Sequence, residues 1–364
     1  MIKSIISLIL FCQLLLIAQP KETSSVVATY SIVAWDSSTG DLGVAVQSKF
    51  LGVGAVVPYA KAGVGAIATQ ALANTTFGPR GLELLESGAT PQQTVEQLIR
   101  DDTSAAYRQV GVIDAHGNSF AYTGPGCNNY AGHIYGSTYT VQGNILAGRE
   151  VLVAMARTFE SSTGDLADRL LNALDAGEKA GGDKRGRQSA ALLVVQDKGG
   201  YGGFNDKLID IRVDDNSLPL VELRRIYNLW KETFLFDARL RMIAELNRKK
   251  KFIQADTEKK RLTEELNAQL RLKPDDPALL NNIAWILATN EIDYERALEL
   301  AKRAVKLAPD QLPYLDTMAE CHFRLKHYSE AVAIEADLVT KDPTNDEYWK
   351  QLQRFKEAKQ KAGN

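Results

Sequence analysis

The first two thirds of the chain alternate short apolar runs, which are typical of strands, with stretches whose apolar residues recur at helical spacing. The runs predict seven strands: Thr29–Trp35, Leu42–Ser48, 63–70, Arg108–Asp114, Ser119–Thr123, 190–196 and 208–213. The helical spacing predicts four helices: 78–88, 91–101, 148–160 and 165–176. Strands grouped at both ends with helices between them favour an α+β fold of two packed sheets covered by helices over a parallel doubly wound sheet.

The character of the chain changes after Phe234, where charged residues dominate. Residues 235–272 have a helical pattern with basic runs at 249–251 and 259–261, and we interpret them as a solvated connecting helix rather than a binding tail. We therefore expect a first domain over residues 29–234, this connecting helix, and a helical domain over residues 273–364.

The last part of the chain contains a repeat. Three pairs of identical residues are 34 positions apart, namely Tyr294 with Tyr328, Ala297 with Ala331 and Pro309 with Pro343. This period resembles that of the tetratricopeptide repeat, which implies an all-α domain with a concave surface for a protein or peptide partner. A spacer or a dimerisation module is the alternative. Because about three repeats are needed for stability, we expect residues 235–272 or 345–358 to cap the two repeats.

The N-terminus has the pattern of a signal peptide. Lys3 precedes an apolar run over residues 5–18, which is short for a membrane span. We expect residues 1–28 to be a removable leader, so that the protein is periplasmic or extracellular and retains no stable membrane span. Cleavage after Ala18 or after Ala28 fits the pattern, and the first choice requires a second cut to expose Thr29.

Thr29 is the strongest candidate for catalysis. A threonine that becomes N-terminal carries both a nucleophilic hydroxyl and an α-amine with a pKa near 7.7–8.0, which serves as a base without histidine. The alternative is that Thr29 merely opens a buried strand. Ser31 lies on the same strand face and is a competing nucleophile, but it has no free amine in any expected processed form.

Composition and motifs narrow the range of functions expected for the chain. The formal net charge of −2 gives no reason to expect nucleic-acid binding, and no glycine-rich phosphate loop follows a strand, so no nucleotide cofactor is indicated. The four histidines form no metal-ligand pattern, so we expect no metal site. Cys127 and Cys321 lie in different halves, and we favour burial over reactivity for Cys127.

Two polar segments of the first domain are candidates for the site. The loop 180–189 places Asp183 beside Arg185 and Arg187, where an arginine suits bidentate contact with a carboxylate, although a turn with a local ion pair is the alternative. Gly143 and Asn144 suit an oxyanion hole made of a backbone N–H and a side-chain amide.

Six segments together resemble the bacterial domain of unknown function 1028: residues 29–34, 43–50, 62–70, 78–81, 141–144 and 181–191. That family is grouped with the N-terminal-nucleophile hydrolases, so the resemblance implies a four-layer αββα sandwich over almost all of the first domain. In the wider superfamily the first residue attacks an amide carbonyl, a role that falls to Thr29. Proteasome-like members also use a lysine on a nearby strand, which points to Lys61.

These observations lead to an exported amide-bond hydrolase of unknown substrate, with Thr29 as nucleophile and base, Asn144 and Gly143 stabilising the oxyanion, and Asp183 and Arg187 contacting substrate. The alternative is a secreted, non-catalytic binding protein whose helical repeats recruit a partner. A third possibility is that Thr29 acts only in self-processing.

Overall fold

The computed structural model describes residues 29–363, which form two compact units. The boundary between them along the chain lies between Leu229 and Trp230. The sequence pattern places that boundary after Phe234. The leader predicted over residues 1–28 lies outside the described residues.

The described part of the first unit contains ten strands and five α-helices. The strands are β1 (Thr29–Trp35), β2 (Leu42–Ser48), β3 (Pro58–Lys61), β4 (Gly65–Ala71), β5 (Arg108–Asp114), β6 (Ser119–Thr123), β7 (Gly132–Gly136), β8 (Tyr139–Asn144), β9 (Ser189–Val195) and β10 (Lys207–Val213). The helices are α1 (Phe77–Glu86), α2 (Pro91–Arg100), α3 (Glu150–Ser161), α4 (Leu166–Lys179) and α5 (Pro219–Trp230), which ends at the boundary.

The strands form two antiparallel sheets that face each other. The six-stranded sheet has the order β10-β9-β2-β1-β8-β7, and the four-stranded sheet has the order β3-β4-β5-β6. Helices α3 and α4 cover the outer face of the first sheet, while α1 and α2 cover the outer face of the second. The unit therefore has four layers, helix, sheet, sheet and helix, as the grouping of strands predicted.

Apolar side chains fill one half of the space between the sheets. Val33 and Val44 of the six-stranded sheet pack against Ala66, Ala68 and Ile113 of the four-stranded sheet. A second cluster joins the four-stranded sheet to its helices through Ile67, Phe77 and Val95, among others. Both faces of β1, β2, β4 and β9 are consequently buried, which explains why these strands read as continuous apolar runs.

Three strands were not predicted from the sequence. β3 begins with proline and is partly exposed, while β7 and β8 have the compositions GHIYG and YTVQGN. Glycine and polar residues are rare in strands, so the pattern alone does not indicate them. In β8 the polar side chains are nevertheless completely buried, with Gln142 bonded to Ser31 of β1 and Asn144 bonded to Gln109 of the other sheet.

The second unit is entirely helical. After a π-helical turn at Lys231–Leu235 come α6 (Phe236–Arg248), α7 (Phe252–Leu272), α8 (Pro277–Thr289), α9 (Tyr294–Leu307), α10 (Leu312–Arg324), α11 (Tyr328–Lys341) and α12 (Asp346–Ala362). The single connecting helix expected over residues 235–272 is in fact two helices. The helical conformation is interrupted between them at Lys249–Lys251, where Lys250 has a φ of 58°.

The helical unit is held together by small and aliphatic residues at the helix crossings. Ala284 of α8 and Ala297, Ala301 and Ala304 of α9 are fully buried, and Leu262 and Leu266 of α7 pack into the same cluster. α7 therefore belongs to the core of this unit. Among residues 29–363, no helix has both the length and the apolar character needed to cross a bilayer.

Candidate active site

Thr29 is the first residue of the central strand β1, which pairs with β2 on one side and with β8 on the other. Its register partners are Ser48 and Asn144. The Thr29 hydroxyl donates to Ser48 Oγ at 3.2 Å, and the residue is fully buried. Two residues further along the same face, Ser31 bonds to Gln70 of the opposite sheet, so this face of β1 points into the space between the sheets. Ser48 is a neighbour that the sequence analysis did not identify.

A buried glutamine joins the polar groups around Thr29. The Gln109 Oε1 atom on β5 accepts from Gln70 Nε2 at 2.8 Å and from Asn144 Nδ2 at 3.0 Å, while Gln109 Nε2 donates to the Gly143 carbonyl at 2.8 Å. Gln70 Nε2 also lies 3.5 Å from the Thr29 carbonyl oxygen. Gln109 therefore connects both sheets to the residues beside Thr29.

Ser31 is built into this network. Its hydroxyl donates to Gln70 Oε1 at 2.6 Å and accepts from Gln142 Nε2 at 2.6 Å. Gln142 reaches this position because Gly111 of the opposite sheet has no side chain: a Cβ there would lie 2.2 Å from Gln142 Oε1. The two hydrogen bonds fix the Ser31 hydroxyl, and no acidic or basic side chain contacts it among the described residues. The Ser31 hydroxyl is therefore a member of the hydrogen-bond network between the sheets.

The network extends to a partly buried histidine. Thr123 Oγ1 lies 2.9 Å from His133 Nδ1 and also accepts from Gln109 Nε2 at 2.9 Å. Burial lowers the pKa of His133, which keeps the ring neutral at pH 7. The polar layer beside Thr29 is therefore made of neutral amides, hydroxyls and one neutral imidazole.

The two residues predicted to stabilise an oxyanion lie in different environments. Asn144 is brought next to Thr29 by the β1–β8 register, and its side-chain amide faces the space between the sheets. Gly143 lies inside β8 with Tyr30 and Gly132 as register partners, so its backbone belongs to the sheet. The expected contribution of the Gly143 N–H to an oxyanion hole is not supported by this position.

The loop predicted to carry substrate-binding residues passes across the end of the sheet at which β1 begins. Gly181 and Gly182 have φ angles of 113° and 52°, which other residues rarely adopt and which let the chain turn after α4. The Lys184 N–H then donates to the Ile145 carbonyl at 2.9 Å, and the Gln188 N–H donates to the Ser48 carbonyl at 3.0 Å. The loop is thus tied to the strands on both sides of Thr29.

Asp183 holds this loop together. Its side chain is completely buried and accepts from the Lys49 N–H at 2.9 Å and the Arg185 N–H at 2.9 Å, and it forms an ion pair with the Arg185 guanidinium at 2.9 Å. The expectation that Asp183 contacts a substrate is corrected by this geometry, because the carboxylate is enclosed by its own loop and by β2.

Arg187 remains accessible. Its guanidinium is half-exposed and forms an ion pair with Glu178 of α4, which also accepts from the Tyr30 hydroxyl at 2.7 Å. Burial, and then the Glu178 carboxylate, raise the pKa of Tyr30 well above its ordinary value. Arg187 is therefore oriented by a fixed carboxylate and still reaches solvent near the end of β1.

Lys61 is not brought to Thr29. It pairs with Gly65 at the start of β4, whereas Gln70, which contacts the Thr29 carbonyl, lies near the other end of that strand. At about 3.3 Å per residue, five residues separate these positions by roughly 16 Å. The Lys61 ammonium forms an exposed ion pair with Glu86 at 2.6 Å. The expected catalytic lysine is therefore a surface residue.

Cys127 does not contribute to this cluster. Its thiol is half-buried and donates to the Arg108 carbonyl at 3.4 Å, and burial raises its pKa, which disfavours the reactive thiolate. Within residues 29–363, no group of three or more histidine, cysteine, aspartate or glutamate side chains is arranged to hold a metal ion.

The helical unit has a separate groove between α8 and α10. It measures about 460 Å³ and is lined by Asn281, Trp285, Pro313 and Asp316, among other residues. Trp285 is 41% exposed, although it is a large aromatic residue. Asn281 is almost fully buried, and its Oδ1 atom has no hydrogen-bond partner among the described residues. The groove thus offers an aromatic face and an unused acceptor.

Comparison with known proteins agrees with this division of the chain. The family described as "Family of unknown function (DUF1028)" matches residues 29–223, more than half of the chain, and a tetratricopeptide repeat family matches residues 290–354. None of the curated proteins compared with the chain matches it. The chain belongs to the DUF1028 family and carries tetratricopeptide repeats at its C-terminal end.

Solved structures resemble each region. The crystal structure of protein SPO2555 from Silicibacter pomeroyi, a DUF1028 protein, is 32% identical with a TM-score of 0.52 and covers 56% of this chain and 86% of its own. The second tetratricopeptide domain of human RPAP3, solved with an HSP70 peptide, is 18% identical with a TM-score of 0.25 and covers 31% of this chain and 93% of its own. The Sgt2 tetratricopeptide domain from Aspergillus fumigatus is 17% identical with a TM-score of 0.25, and it covers 36% of this chain and 83% of its own.

Proposed function

We propose that this member of the DUF1028 family is an exported amide-bond hydrolase of the N-terminal-nucleophile type, activated by cleavage before Thr29. The position of Thr29 carries the proposal. It begins a central strand, its hydroxyl lies 3.2 Å from Ser48 Oγ, and Asn144 is its register partner. The four layers of the first unit agree with the αββα sandwich of that superfamily.

In this mechanism, cleavage turns the Thr29 amide nitrogen into a free amine whose reference pKa is about 7.7–8.0. The amine accepts the hydroxyl proton while Oγ1 forms a bond to the amide carbonyl carbon of the substrate. The proton then passes to the leaving nitrogen as the C–N bond breaks. Water hydrolyses the resulting ester and returns Oγ1 to its hydroxyl form.

Asn144 supplies the oxyanion donor in this proposal. A side-chain amide has two N–H groups, and one N–H of Asn144 donates to Gln109 Oε1 at 3.0 Å. When substrate binds, this side-chain amide stabilises the negative charge that develops on the carbonyl oxygen. Ser48 orients the Thr29 hydroxyl, and Gln109 fixes the Asn144 amide.

The first experiment is N-terminal sequencing of the protein recovered from its secretory compartment, together with Thr29→Ala and Thr29→Ser variants assayed against a panel of amides. A chain that begins at Thr29, a loss of at least about a thousandfold in Thr29→Ala and partial activity in Thr29→Ser support the hydrolase. A stable start at Gln19 with unchanged activity contradicts it. An uncleaved Thr29→Ala precursor, combined with no turnover by the mature protein, assigns Thr29 to self-processing alone.

Binding of a protein or peptide is the second function that we propose, and it is carried by the groove of the helical unit. The tetratricopeptide match and the exposed Trp285 support it. Retention of a partner by the full chain should weaken in Trp285→Ala but persist in Trp349→Ala, which changes an exposed tryptophan outside the groove lining. If Thr29→Ala leaves all measurable properties unchanged, a non-catalytic binding protein becomes the better description.

A further inference from the structure

A recess near the start of β1 contains Lys49, a lysine that makes no ion pair within residues 29–363. The recess measures about 360 Å³ and is lined by Lys49, Arg187, Gln188 and Asp215, with Asn216 and Ser217 at its side. Lys49 immediately follows Ser48, the residue that accepts from the Thr29 hydroxyl. The recess is therefore joined to the residues around Thr29 through Ser48, the neighbour of Lys49 in the chain.

The position of Lys49 is fixed by the fold. Its backbone N–H donates to the buried Asp183 carboxylate at 2.9 Å, and its ammonium lies 3.3 Å from the Arg187 carbonyl oxygen. Consecutive α-carbons are 3.8 Å apart, and register partners in antiparallel strands are about 4.5–5.5 Å apart. The α-carbon of Lys49 is therefore within about 10 Å of that of Thr29, so the recess lies near the end of β1 at which Thr29 stands.

The charges in the recess are unbalanced. Lys49 makes no ion pair with any described residue, and Arg187 presents its guanidinium to the recess while Glu178 holds its Nε atom. Asp215 is the acidic residue of the lining, and its carboxylate accepts from Gln188 Nε2 at 3.1 Å. The lining thus holds two cations and one carboxylate, and because Glu178 engages Arg187 from outside the lining, Lys49 is the cation without an ion pair among the described residues. The amide and hydroxyl groups of Asn216 and Ser217 supply further polar groups.

We propose that this recess binds a carboxylate of the substrate, so that the preferred substrates are amides with a free carboxylate a few bonds from the scissile carbonyl. Lys49 supplies the positive charge, and Arg187, oriented by Glu178, adds directional N–H donors. The inference rests on the proposed hydrolase function and assigns its substrate class. Lys49 acts here as a specificity residue that takes no part in the proton transfers.

Binding is tested with succinate and its neutral analogue succinamide, titrated calorimetrically into the recovered protein and into its Thr29→Ala variant. Succinate should bind both forms, and succinamide should bind at least tenfold more weakly. Lys49→Gln should weaken succinate binding roughly tenfold to a hundredfold, since a charge-assisted contact is lost. Lys184→Gln is the matched control, because Lys184 is exposed on the same loop, makes no ion pair with a described residue and does not line the recess. Equal binding of both probes, or an equal effect of the two substitutions, overturns the proposal.

Turnover is tested with succinyl-alanine p-nitroanilide and acetyl-alanine p-nitroanilide. Lys49→Gln should raise KM for the succinyl substrate roughly tenfold with kcat largely retained, and it should leave the acetyl substrate unchanged. If Lys49-dependent succinate binding occurs without hydrolysis of either substrate, the carboxylate site stands and the hydrolase fails. If both substrates are hydrolysed equally well and Lys49→Gln changes neither KM, the hydrolase stands and the carboxylate site fails.

Discussion

The layer between the sheets of the first unit and the core of the helical unit bury polar side chains in different chemical forms. Between the sheets of the first unit, the buried groups are neutral amides and hydroxyls centred on Gln109. The helical unit instead buries charged groups. Arg239 and Glu258 form an ion pair at 2.6 Å with exposed fractions of 5% and 1%, and Glu335 is fully enclosed.

The difference shows which region responds to pH. Amide and hydroxyl groups do not change charge between pH 5 and 8, whereas a buried carboxyl must either find a partner or remain protonated. Neither carboxylate oxygen of Glu335 has a hydrogen-bond partner among the described residues, and burial raises its pKa to about 8. We therefore expect the helical unit to be pH-sensitive and the sheet layer to be nearly insensitive.

The largest effect should come from breaking the buried ion pair. Arg239→Met removes the 2.6 Å ion pair of the buried Glu258 with its arginine partner, which should cost about 3–5 kcal/mol in the free energy of unfolding. Hydrogen exchange of the full chain, followed by mass spectrometry, reports each unit separately. Lys350→Met, which removes an exposed pair with Glu347, is the control and should leave the free energy of unfolding nearly unchanged. Equal losses of unfolding free energy in the two variants would show that the buried pair contributes no more to stability than the exposed pair.

Removing the central amide of the neutral layer should have the next largest effect. Gln109→Leu deprives Gln70 and Asn144 of an acceptor and the Gly143 carbonyl of a donor, so we expect a loss of about 2–4 kcal/mol. The loss should be the same at pH 5 and pH 8, measured by hydrogen exchange of the β4 and β5 peptides. A pH-dependent loss would contradict the neutral character of this layer.

Glu335→Gln should stabilise the helical unit at high pH. The pKa of Glu335 rises from its ordinary 4.5 to about 8 because of burial, then the Asp316 and Glu320 charges, while Arg354 lowers it. The folded state therefore binds the proton more tightly, and its stability falls as pH rises from about 4.5 to 8. The variant should remove this slope and gain about 1–3 kcal/mol at pH 8. Urea unfolding at several pH values, with Glu330→Gln as an exposed control on the same helix, measures the difference.

The smallest effect should come from His133. Burial lowers its pKa, so the unfolded state binds the proton more tightly and folding stability is lost as pH falls through about 6.5. His133→Gln should remove this shallow dependence of folding stability on pH, whereas His116→Gln, which changes an exposed histidine, should leave that dependence in place. A steep acid transition in the first unit that survives His133→Gln would show that another group controls it.

The pattern of the chain predicted most of the first unit but missed the strands that shape the site. The apolar runs of β1, β2 and β9 predicted strands because both of their faces are buried. β8 was missed, since Gln142 is held by Ser31 of the neighbouring strand β1 and Asn144 by Gln109 of the other sheet, contacts that no local pattern records. Buried glutamines inside otherwise apolar strands, such as Gln70, were the available signal.

The sequence alone determined the alternation of strands and helices, the 34-residue repeat and the place of Thr29 at the start of a strand, because these depend on local spacing. Only the tertiary structure decided which side chains meet. In the fold, Ser48 and Asn144 lie beside Thr29, Asp183 is enclosed by its own loop, and Lys61 lies at the surface. Contacts across a sheet join residues that are more than a hundred positions apart, and strand order and register, which local spacing does not fix, decide these contacts.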